Sequence, residues 1–427
     1  MKSLVYDKIR LGVAVLLYLC ATSWADAKVK LPALISDGMV LQREQSVKVW
    51  GTADAGENIT IEFQKKSYHA TADANGQWSI TLPPLKAGGP FLMQINDIKL
   101  NDILVGDVWL CSGQSNMELP VKRVMDMFSN EILNYNNEKI RHILIPQKYN
   151  FHAPQEEISA TSWKTLTQKN VMEFSALAYF FAKEMYEKTG IPVGLINSSW
   201  GGTPVEAWIS EEGLKEFPLY IKRLYEDDAY CSHIKKLEAE NFYRWNLSLY
   251  RSDAGLHEST PWYATNYDDN NWQTVNMFSQ SWGNNGLNPI GGSHWLRQDI
   301  EIPQSWNGKE ATLRLGCIVD ADSVYVNGVF VGTTSYQYPP RIYRIPAGIL
   351  KSGKNNITVR IISNGGQPGF VQEKPYKIIC DNEEINLKQK WKYRLGAPMP
   401  PAPEMMFFWY KPVCLYNAMI APLQNYS

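Results

Sequence analysis

Apolar and polar residues alternate along short segments in the N-terminal part of the chain. The segments SVKVWG, NITIEF and GQWSITLP follow this period of two and are bounded by Gly, Asn, Asp and Pro. Because neighbouring side chains of a strand point to opposite faces, the pattern is typical of half-buried strands. It predicts a small β-sandwich of immunoglobulin-like size over residues 28–104.

The pattern changes to continuous apolar runs at Ile103. Ile103–Cys111 and the segment IRHILIP (140–146) are runs of this kind, and a third, IPVGLINSSWGG, enters a glycine turn. Such runs are typical of strands that are buried on both faces, as in parallel sheets. With a helix between them, they predict an α/β domain whose parallel sheet is covered by helices on both faces.

The helix lies in the segment EFSALAYFFAKEMYEKTG (173–190). Ser175 is suited to be its N-cap, and Gly190 is a suitable stop at its C-terminal end. The helical period predicts a buried face formed by Leu177, Phe180, Phe181 and Met185.

Alternating strands return after Trp262. Asn327-Gly328, between VYV and VFV, is a strong signal for a two-residue hairpin. We interpret this region as a jelly-roll-like β domain inserted into the α/β domain, with APMPPAP (397–403) as its exit linker and PVCLYNAMIAPL (412–423) as the α/β domain resuming with a helix. The predicted divisions are a signal peptide (1–27), the β-sandwich (28–104), the first part of the α/β domain (105–215), the inserted β domain (216–400) and the α/β domain resumed (401–427).

Composition adds little to this picture. The 427 residues are 44% hydrophobic and 20% charged, with a net charge of −1. This balance gives no basic surface for nucleic acid, so we expect no nucleic-acid partner. The many aromatic residues suit sugar stacking but also suit β-sandwich cores, and the core interpretation is the more general one.

The first residues have the pattern of a secretory signal peptide. Lys2, Lys8 and Arg10 precede the apolar segment Leu11–Cys20, which is followed by Ala-Asp-Ala at 25–27. The segment is too short to span a bilayer comfortably. We therefore expect cleavage after Ala27, no membrane span afterwards, and a secreted or periplasmic protein.

The cysteines that remain after this cleavage show no metal-binding or redox motif. Their spacing is wide and irregular, without a C-x-x-C pair, so the sequence indicates no metal site and no cofactor. An odd number permits at most two disulfides, and we expect most of these residues to be small buried side chains: Cys111, Cys231, Cys317, Cys380 and Cys414.

Ser115 follows the first buried strand at a sharp polar turn, CSGQSNMELP. A serine nucleophile needs an exposed position, a base, and donors for the oxyanion that it creates. A strand-to-helix turn provides the exposure and free N–H groups, and Gly113 permits the tight turn. Alternatively, Ser115 only caps a helix, with Glu118 completing a capping box. The local pattern does not separate the two.

A second glycine turn, NSSWGGTPVEAW (197–208), follows the third apolar strand. Thr203 as N-cap, Pro204 at N1 and Glu206 at N3 predict a helix start. Gly201 and Gly202 precede it and leave unobstructed N–H groups suited to an oxyanion, although a plain strand–helix connection would also use glycines. In a parallel sheet both turns would lie at the same carboxyl edge.

The two blocks GDVWLCSGQSNMELPV and GLINSSWGGTPVEAWIS resemble those of secreted sialate O-acetylesterases, a branch of the SGNH hydrolases. The resemblance implies hydrolysis of acetyl esters on sialic acids or related acetylated glycans by a serine acyl-enzyme mechanism. It implies Ser115 as nucleophile, its N–H with that of Gly201 or Gly202 as the oxyanion hole, and Gln114 and Asn116 beside the site.

The sequence departs from this family in one respect. Family members have a third block, W-x-Q-G-E-(S/T)-N, after the helix that LYNAMIAPL (415–423) resembles, and a later D-x-x-H segment that supplies the base. Neither block is present in these 427 residues, and no histidine has an aspartate three residues before it. His142 and His152 fall in the α/β portion, where we expect each to be structural or exposed. The resemblance thus predicts an esterase, and this departure predicts an incomplete or inactive copy.

Two other functions remain open from the sequence. One is a polysaccharide acetylesterase, because the block that contains Ser115 does not itself recognise the sugar. The other is a non-catalytic carbohydrate-binding protein that uses aromatic residues of the inserted domain. The alternative for those aromatics is core packing; they are Trp262, Trp272, Trp282 and Trp295.

Overall fold

The computed structural model describes residues 29–158, 160–220, 228–278, 282–288, 290–365, 367–403 and 412–426. The predicted signal peptide lies outside this part of the chain. Two compact units are present: Met1–Asp228 with Phe408–Ser427, and Ala229–Phe407.

The first unit is built on a mixed sheet with helices. Its main sheet has the strand order β4-β3-β6-β7-β10-β8-β9, with β1 also paired to β7, and β2 and β5 form a separate pair. Its strands are β1 (Val40–Gln42), β2 (Val47–Thr52), β3 (Asn58–Phe63), β4 (Lys66–Thr71), β5 (Gln77–Leu82), β6 (Gly88–Ile95), β7 (Ile98–Gly113), β8 (Asn137–Leu144), β9 (Lys164–Leu166) and β10 (Val193–Ser199).

The helices of this unit are short, apart from α3. They are α1 (Ser115–Glu118), α2 (Met125–Leu133), α3 (Ala176–Thr189), four 3₁₀ turns (Val121–Arg123, Val171–Glu173, Val205–Trp208 and Glu212–Leu214), and a π turn (Tyr416–Ile420) continued by a 3₁₀ turn (Ala421–Tyr426).

Strand β7 belongs to both the antiparallel and the parallel part of the sheet. Its first half pairs antiparallel with β6, and its second half pairs parallel with β10, which in turn pairs parallel with β8. The predicted division at residue 104 therefore falls inside one continuous strand. Only the β1, β7, β10 and β8 portion is parallel, so the sheet as a whole is mixed.

Every residue of β10 is buried, because chain packs on both faces of this strand. Val193 and Leu195 contribute to a core with α3, whereas Ile196 contributes to a second core that includes Leu415 and Met419. The Ser198 hydroxyl donates to the Met419 carbonyl at 2.9 Å. The predicted covering of both faces is thus present at this strand, and PVCLYNAMIAPL is helical there, although in π and 3₁₀ form.

Helix α3 begins and ends where the sequence predicted. The Ser175 hydroxyl accepts a hydrogen bond from the Ala178 N–H, and Gly190 ends the helix with φ of 66°. The predicted buried face is right for Phe180 and Met185, which pack against the core, and wrong for Leu177 and Phe181, which are exposed. Small side chains face the sheet instead and allow close approach, while Phe181 packs edge-on against Trp109 of β7. The buried residues are Ala176, Ala178, Tyr179 and Ala182.

The second unit contains two larger antiparallel sheets that contribute to one core. Their strand orders are β11-β22-β12-β18-β15-β16 and β17-β13-β20-β21, and β14 pairs with β19. The elements are α4 (Asp228–Ser252), α5 (Ala254–His257), β11 (Gln273–Val275), β12 (Gly292–Ile302), β13 (Ala311–Leu315), β14 (Ile318–Val319), β15 (Ala321–Val326), β16 (Val329–Thr334), β17 (Ile342–Ile345), β18 (Gly353–Ser363), β19 (Gly369–Phe370), β20 (Tyr376–Cys380), β21 (Glu383–Asn386), β22 (Trp391–Pro398), and 3₁₀ turns at Gly283–Asn285 and Gln304–Trp306.

The hairpin predicted at Asn327-Gly328 is confirmed. Both residues have positive φ, 48° and 77°, and they connect the antiparallel strands β15 and β16. Two successive positive φ angles define the tight turn for which Asn-Gly is favoured.

Buried positions account for most of the cysteines and for the tryptophans named above. In the described part of the chain Cys111, Cys317, Cys380 and Cys414 are buried, as predicted. Core packing is also confirmed for Trp262, Trp272, Trp282 and Trp295, which are at most 6% exposed.

None of the helices described combines the length and apolar character needed to span a bilayer.

Candidate active site

The two predicted turns leave the sheet side by side. Strands β7 and β10 run parallel with Gly113 opposite Ser199, so both chains emerge at the same carboxyl edge. The Trp200 N–H donates to the Gly113 carbonyl at 3.0 Å and ties the two turns at their bases. Gly113 has φ of 141°, which a residue with a side chain rarely adopts. The shared edge predicted from the sequence is therefore confirmed.

Ser115 is the exposed first residue of α1, and it does not cap the helix. Gln114 occupies the N-cap position and makes no side-chain capping bond there. The predicted capping box is also absent, because the Glu118 carboxylate points to the other turn. Its Oε2 accepts from the Gly201 N–H at 2.6 Å and its Oε1 accepts from Gln147 Nε2 at 2.8 Å. Within the described ranges, the Ser115 hydroxyl has no hydrogen-bond partner.

Gly201 lies directly beside the serine. A Cβ atom at this position would lie 2.5 Å from Glu118 Oε2 and 3.2 Å from Ser115 Oγ. Only glycine therefore fits between the two side chains without displacing them. The Gly201 N–H, expected to be free for an oxyanion, instead binds a carboxylate oxygen, which is the kind of charge an oxyanion donor stabilises.

Gly202 differs from Gly201 both in the space around a Cβ atom and in the hydrogen bonding of its N–H. Its φ is 78°, and a Cβ atom there would meet nothing within 4 Å. Its N–H has no acceptor among the residues that the structure describes. Of the two glycines predicted for the oxyanion hole, Gly202 is therefore the one with an uncommitted donor.

Gln114 also connects the two turns, since its Nε2 donates to the Thr203 carbonyl. Asn116 is exposed beside Ser115 and has no hydrogen-bond partner in the described part of the chain. The predicted helix start at Thr203 is wrong by one residue: the 3₁₀ turn Val205–Trp208 has Pro204 at its N-cap position. The Thr203 hydroxyl instead donates to the Trp200 carbonyl and accepts from Trp208 Nε1, and so closes the loop on itself.

Sequence reasoning missed the roles of Glu118 and Gln147. Gln147 lies three residues after Leu144, which pairs with Asn197, so it emerges at the same sheet edge as both turns. It also donates to the Ser199 carbonyl at 3.2 Å. A polar residue directly after a third parallel strand was the available signal, because parallel strands bring their carboxyl ends together.

His142 is a structural residue, as expected. It is 3% exposed in β8 and stacks on Phe174, with ring centroids 4.4 Å apart. Its strand partner is Leu195, four residues before Ser199, so it lies about 13 Å along the strand from the edge where the turns leave. Burial lowers the pKa of His142 from 6.5 to about 3. His152 is exposed, also as expected.

The buried ring of His142 predicts acid sensitivity of the first unit. In the unfolded chain His142 is protonated below about pH 6.5, whereas in the folded protein it stays neutral until about pH 3. The free energy of unfolding therefore decreases as the pH falls from 6.5 to 3. Between pH 7 and pH 5 we expect the wild type to lose about 2 kcal/mol more than His142→Phe, which retains an aromatic ring against Phe174. Urea unfolding at both pH values measures this difference, and equal losses in the two proteins would contradict it.

Comparison with known proteins shows that the region containing this sheet edge is similar to a family of esterases. The family model described as "Carbohydrate esterase, sialic acid-specific acetylesterase" matches residues 105–240, which include both turns. The sialate O-acetylesterases of Homo sapiens and Rattus norvegicus are each 32% identical, over 227 and 209 residues. These matches cover 48% and 44% of this chain, and 43% and 38% of the relatives.

A solved structure, a carbohydrate acetylesterase from Xanthomonas citri, is 38% identical, with a TM-score of 0.42 and 44% of each chain covered. The chain spans less than half the length of the curated relatives that it matches. Over residues 105–240, the sequence of this chain is therefore similar to that of sialate O-acetylesterases.

Proposed function

We propose that this chain is a carboxylic ester hydrolase that removes acetyl groups from O-acetylated sialic acids or related acetylated glycans, with Ser115 as the nucleophile. The observation that supports this most is the exposed Ser115 hydroxyl, which has no hydrogen-bond partner among the described residues and lies at the edge where two glycine turns of parallel strands meet. A nucleophile must be reachable by substrate and lie near donors for the developing charge.

In the proposed reaction Ser115 Oγ attacks the acetyl carbonyl carbon. The Oγ–carbon bond forms as the serine gives its proton to a base, and the carbonyl oxygen becomes an oxyanion. Collapse of this intermediate breaks the bond to the sugar oxygen, which leaves with a proton. Water then attacks the acetyl-serine, releasing acetate and restoring the hydroxyl.

The donors for the oxyanion would be the N–H groups of Ser115 and Gly202. Gly201 would join them when the Glu118 carboxylate moves from its N–H, because this carboxylate lies where an oxyanion would accept from the same donor. Gln114 would position the second turn through Thr203, and Asn116 would contact the substrate. The histidine base that the resemblance implies belongs to a D-x-x-H pattern, which these 427 residues do not contain, so we assign the base to none of the six histidines.

Replacing Ser115 by alanine tests this proposal. We expect at least a 100-fold lower rate of acetate release from O-acetylated N-acetylneuraminic acid, because no acetyl-serine can form. Stability should be unchanged, since the side chain is exposed and unpaired. Ser79→Ala, at an exposed serine of β5, serves as the matched control and should retain full activity.

Two results would contradict the proposal. Equal rates above the uncatalysed background in Ser115→Ala and wild type would exclude Ser115 as nucleophile, whereas background rates in both would indicate an inactive copy. Faster release from acetylated xylan than from the acetylated sialic acid would instead indicate the polysaccharide acetylesterase that the sequence left open.

We also propose the finer features of the sequence interpretation. The signal peptide 1–27 would export the chain to the periplasm or the cell exterior. Residues 28–104 would be a β-sandwich preceding an SGNH-type domain (105–215 and 401–427), and 216–400 a jelly-roll-like insertion. The insertion is supported by the second compact unit, Ala229–Phe407, which in the sequence comes between the two segments that form the first unit.

A further inference from the structure

The second unit has a cleft of about 640 Å³ on the face of its six-stranded sheet that points away from the core. Arg297 and Asp299 of β12 line it, alternating with Leu296 and Ile300, which belong to the core. The volume is within the range that holds a small ligand. The lining is mostly charged and amide side chains, which suits a polar ligand rather than an apolar one.

Buried hydrogen bonds hold this lining in place. Asn355 is 2% exposed, and its Oδ1 accepts from the Lys351 N–H at 2.9 Å while its Nδ2 donates to the Lys351 carbonyl at 2.5 Å. Asn327 Nδ2 donates to Asn355 Oδ1 at 2.7 Å, so the hairpin turn is tied to the same loop. Lys351 is thus carried by a backbone that is fixed at the rim of the cleft, which lowers the entropy cost of binding.

Positive charge exceeds negative charge around the cleft. Asp269 forms ion pairs with both Arg297, at 2.8 Å, and Lys392, so two cations share one carboxylate. Asp299 pairs with Lys354 at 2.9 Å. The Lys351 ammonium has no ion-pair partner in the described ranges and lines the cleft. Unpaired positive charge in a concave site attracts an anion.

The remaining groups match a hydroxylated ligand. Thr265 is exposed in the cleft, and its hydroxyl has no hydrogen-bond partner among the described residues. Tyr267 also lines the cleft, and its hydroxyl accepts from Arg394 at 3.0 Å and from Trp272 Nε1 at 3.4 Å. We infer that this cleft binds an acidic saccharide, with its carboxylate at Lys351 and its hydroxyls at Thr265 and Tyr267.

The test uses the full chain and N-acetylneuraminic acid as probe, with binding measured by calorimetry and ligand-observed NMR. We expect the free acid to bind about tenfold more tightly than its methyl ester, because esterification removes the charge that Lys351 pairs with. Lys351→Ala should weaken binding of the free acid by a similar factor and leave binding of the methyl ester unchanged. Lys351→Arg should retain most of the affinity for the acid.

Lys309→Ala is the matched control, since Lys309 lies in the same unit, pairs with Asp381 on the surface and does not line the cleft. The inference is overturned if the acid does not bind at millimolar concentration, if the methyl ester binds equally well, or if inorganic phosphate competes as well as the sugar does. Hydrolysis of 4-nitrophenyl acetate separates this site from the proposed esterase. It should be lost in Ser115→Ala and unchanged in Lys351→Ala, so either proposal can fail without the other.

Discussion

Gly201→Ala is expected to lower acetyl ester hydrolysis by about 100-fold, because the added methyl group enters the space between Ser115, the proposed nucleophile, and the Glu118 carboxylate. The new Cβ atom would lie 2.5 Å from Glu118 Oε2 and 3.2 Å from Ser115 Oγ, so both side chains must move. The φ of Gly201 is outside the left-handed region, so an alanine adds no backbone strain. The loss should therefore fall on kcat, with the unfolding midpoint close to that of the wild type.

Gly190→Ala is the matched control for this substitution. Gly190 is also a glycine at the end of an element in the first unit, with φ of 66° and open space around a Cβ atom. We expect about 1 kcal/mol of destabilisation from the left-handed backbone and unchanged activity. If Gly201→Ala retained wild-type kcat, the narrow space beside Ser115 would not be the site of the reaction.

Local rules predicted the ends of α3 but not its buried face. Capping by Ser175 and Gly190 depends on residues within one turn, and both are as predicted. The buried face depends on the surface that the helix meets. Phe181 packs against the exposed Trp109 of β7 and so remains exposed itself. Side-chain size alone predicted that the large residues are buried, whereas the close approach of the helix to the sheet favours burial of the alanines.

The sequence likewise predicted only part of the candidate site. Parallel strands bring their carboxyl ends to one edge, so the sequence could place the turns of Ser115 and Gly201 together. The capping box at Glu118 was one of two local interpretations, but the carboxylate binds a residue 83 positions away. No periodicity or spacing rule reports that contact, because it depends on how closely β7 and β10 approach at their ends.

The largest effect on stability is expected in the second unit, at the ion pair of Asp322 and Arg341. Both side chains are fully buried, and Arg341 Nε donates to Asp322 Oδ2 at 2.6 Å. The other guanidinium nitrogens donate to four backbone carbonyls, and the Tyr343 hydroxyl donates to Asp322 Oδ1 at 2.5 Å. The carbonyls are those of Gln337, Pro339, Ile318 and Asp320. This network joins β14, β15 and β17 through a single arginine.

Asp322→Ala should destabilise the second unit by about 3–5 kcal/mol, because it leaves the Arg341 charge buried without a counterion. Asp322→Asn, which keeps an acceptor for Tyr343 and Arg341, should cost less. Asp381→Ala breaks an exposed pair with Lys309 in the same unit and should cost less than about 1 kcal/mol. Urea unfolding followed by tryptophan fluorescence measures all three. If Asp322→Ala cost no more than Asp381→Ala, the four carbonyls rather than the carboxylate would be compensating the guanidinium charge, and the pair would contribute little beyond its hydrogen bonds.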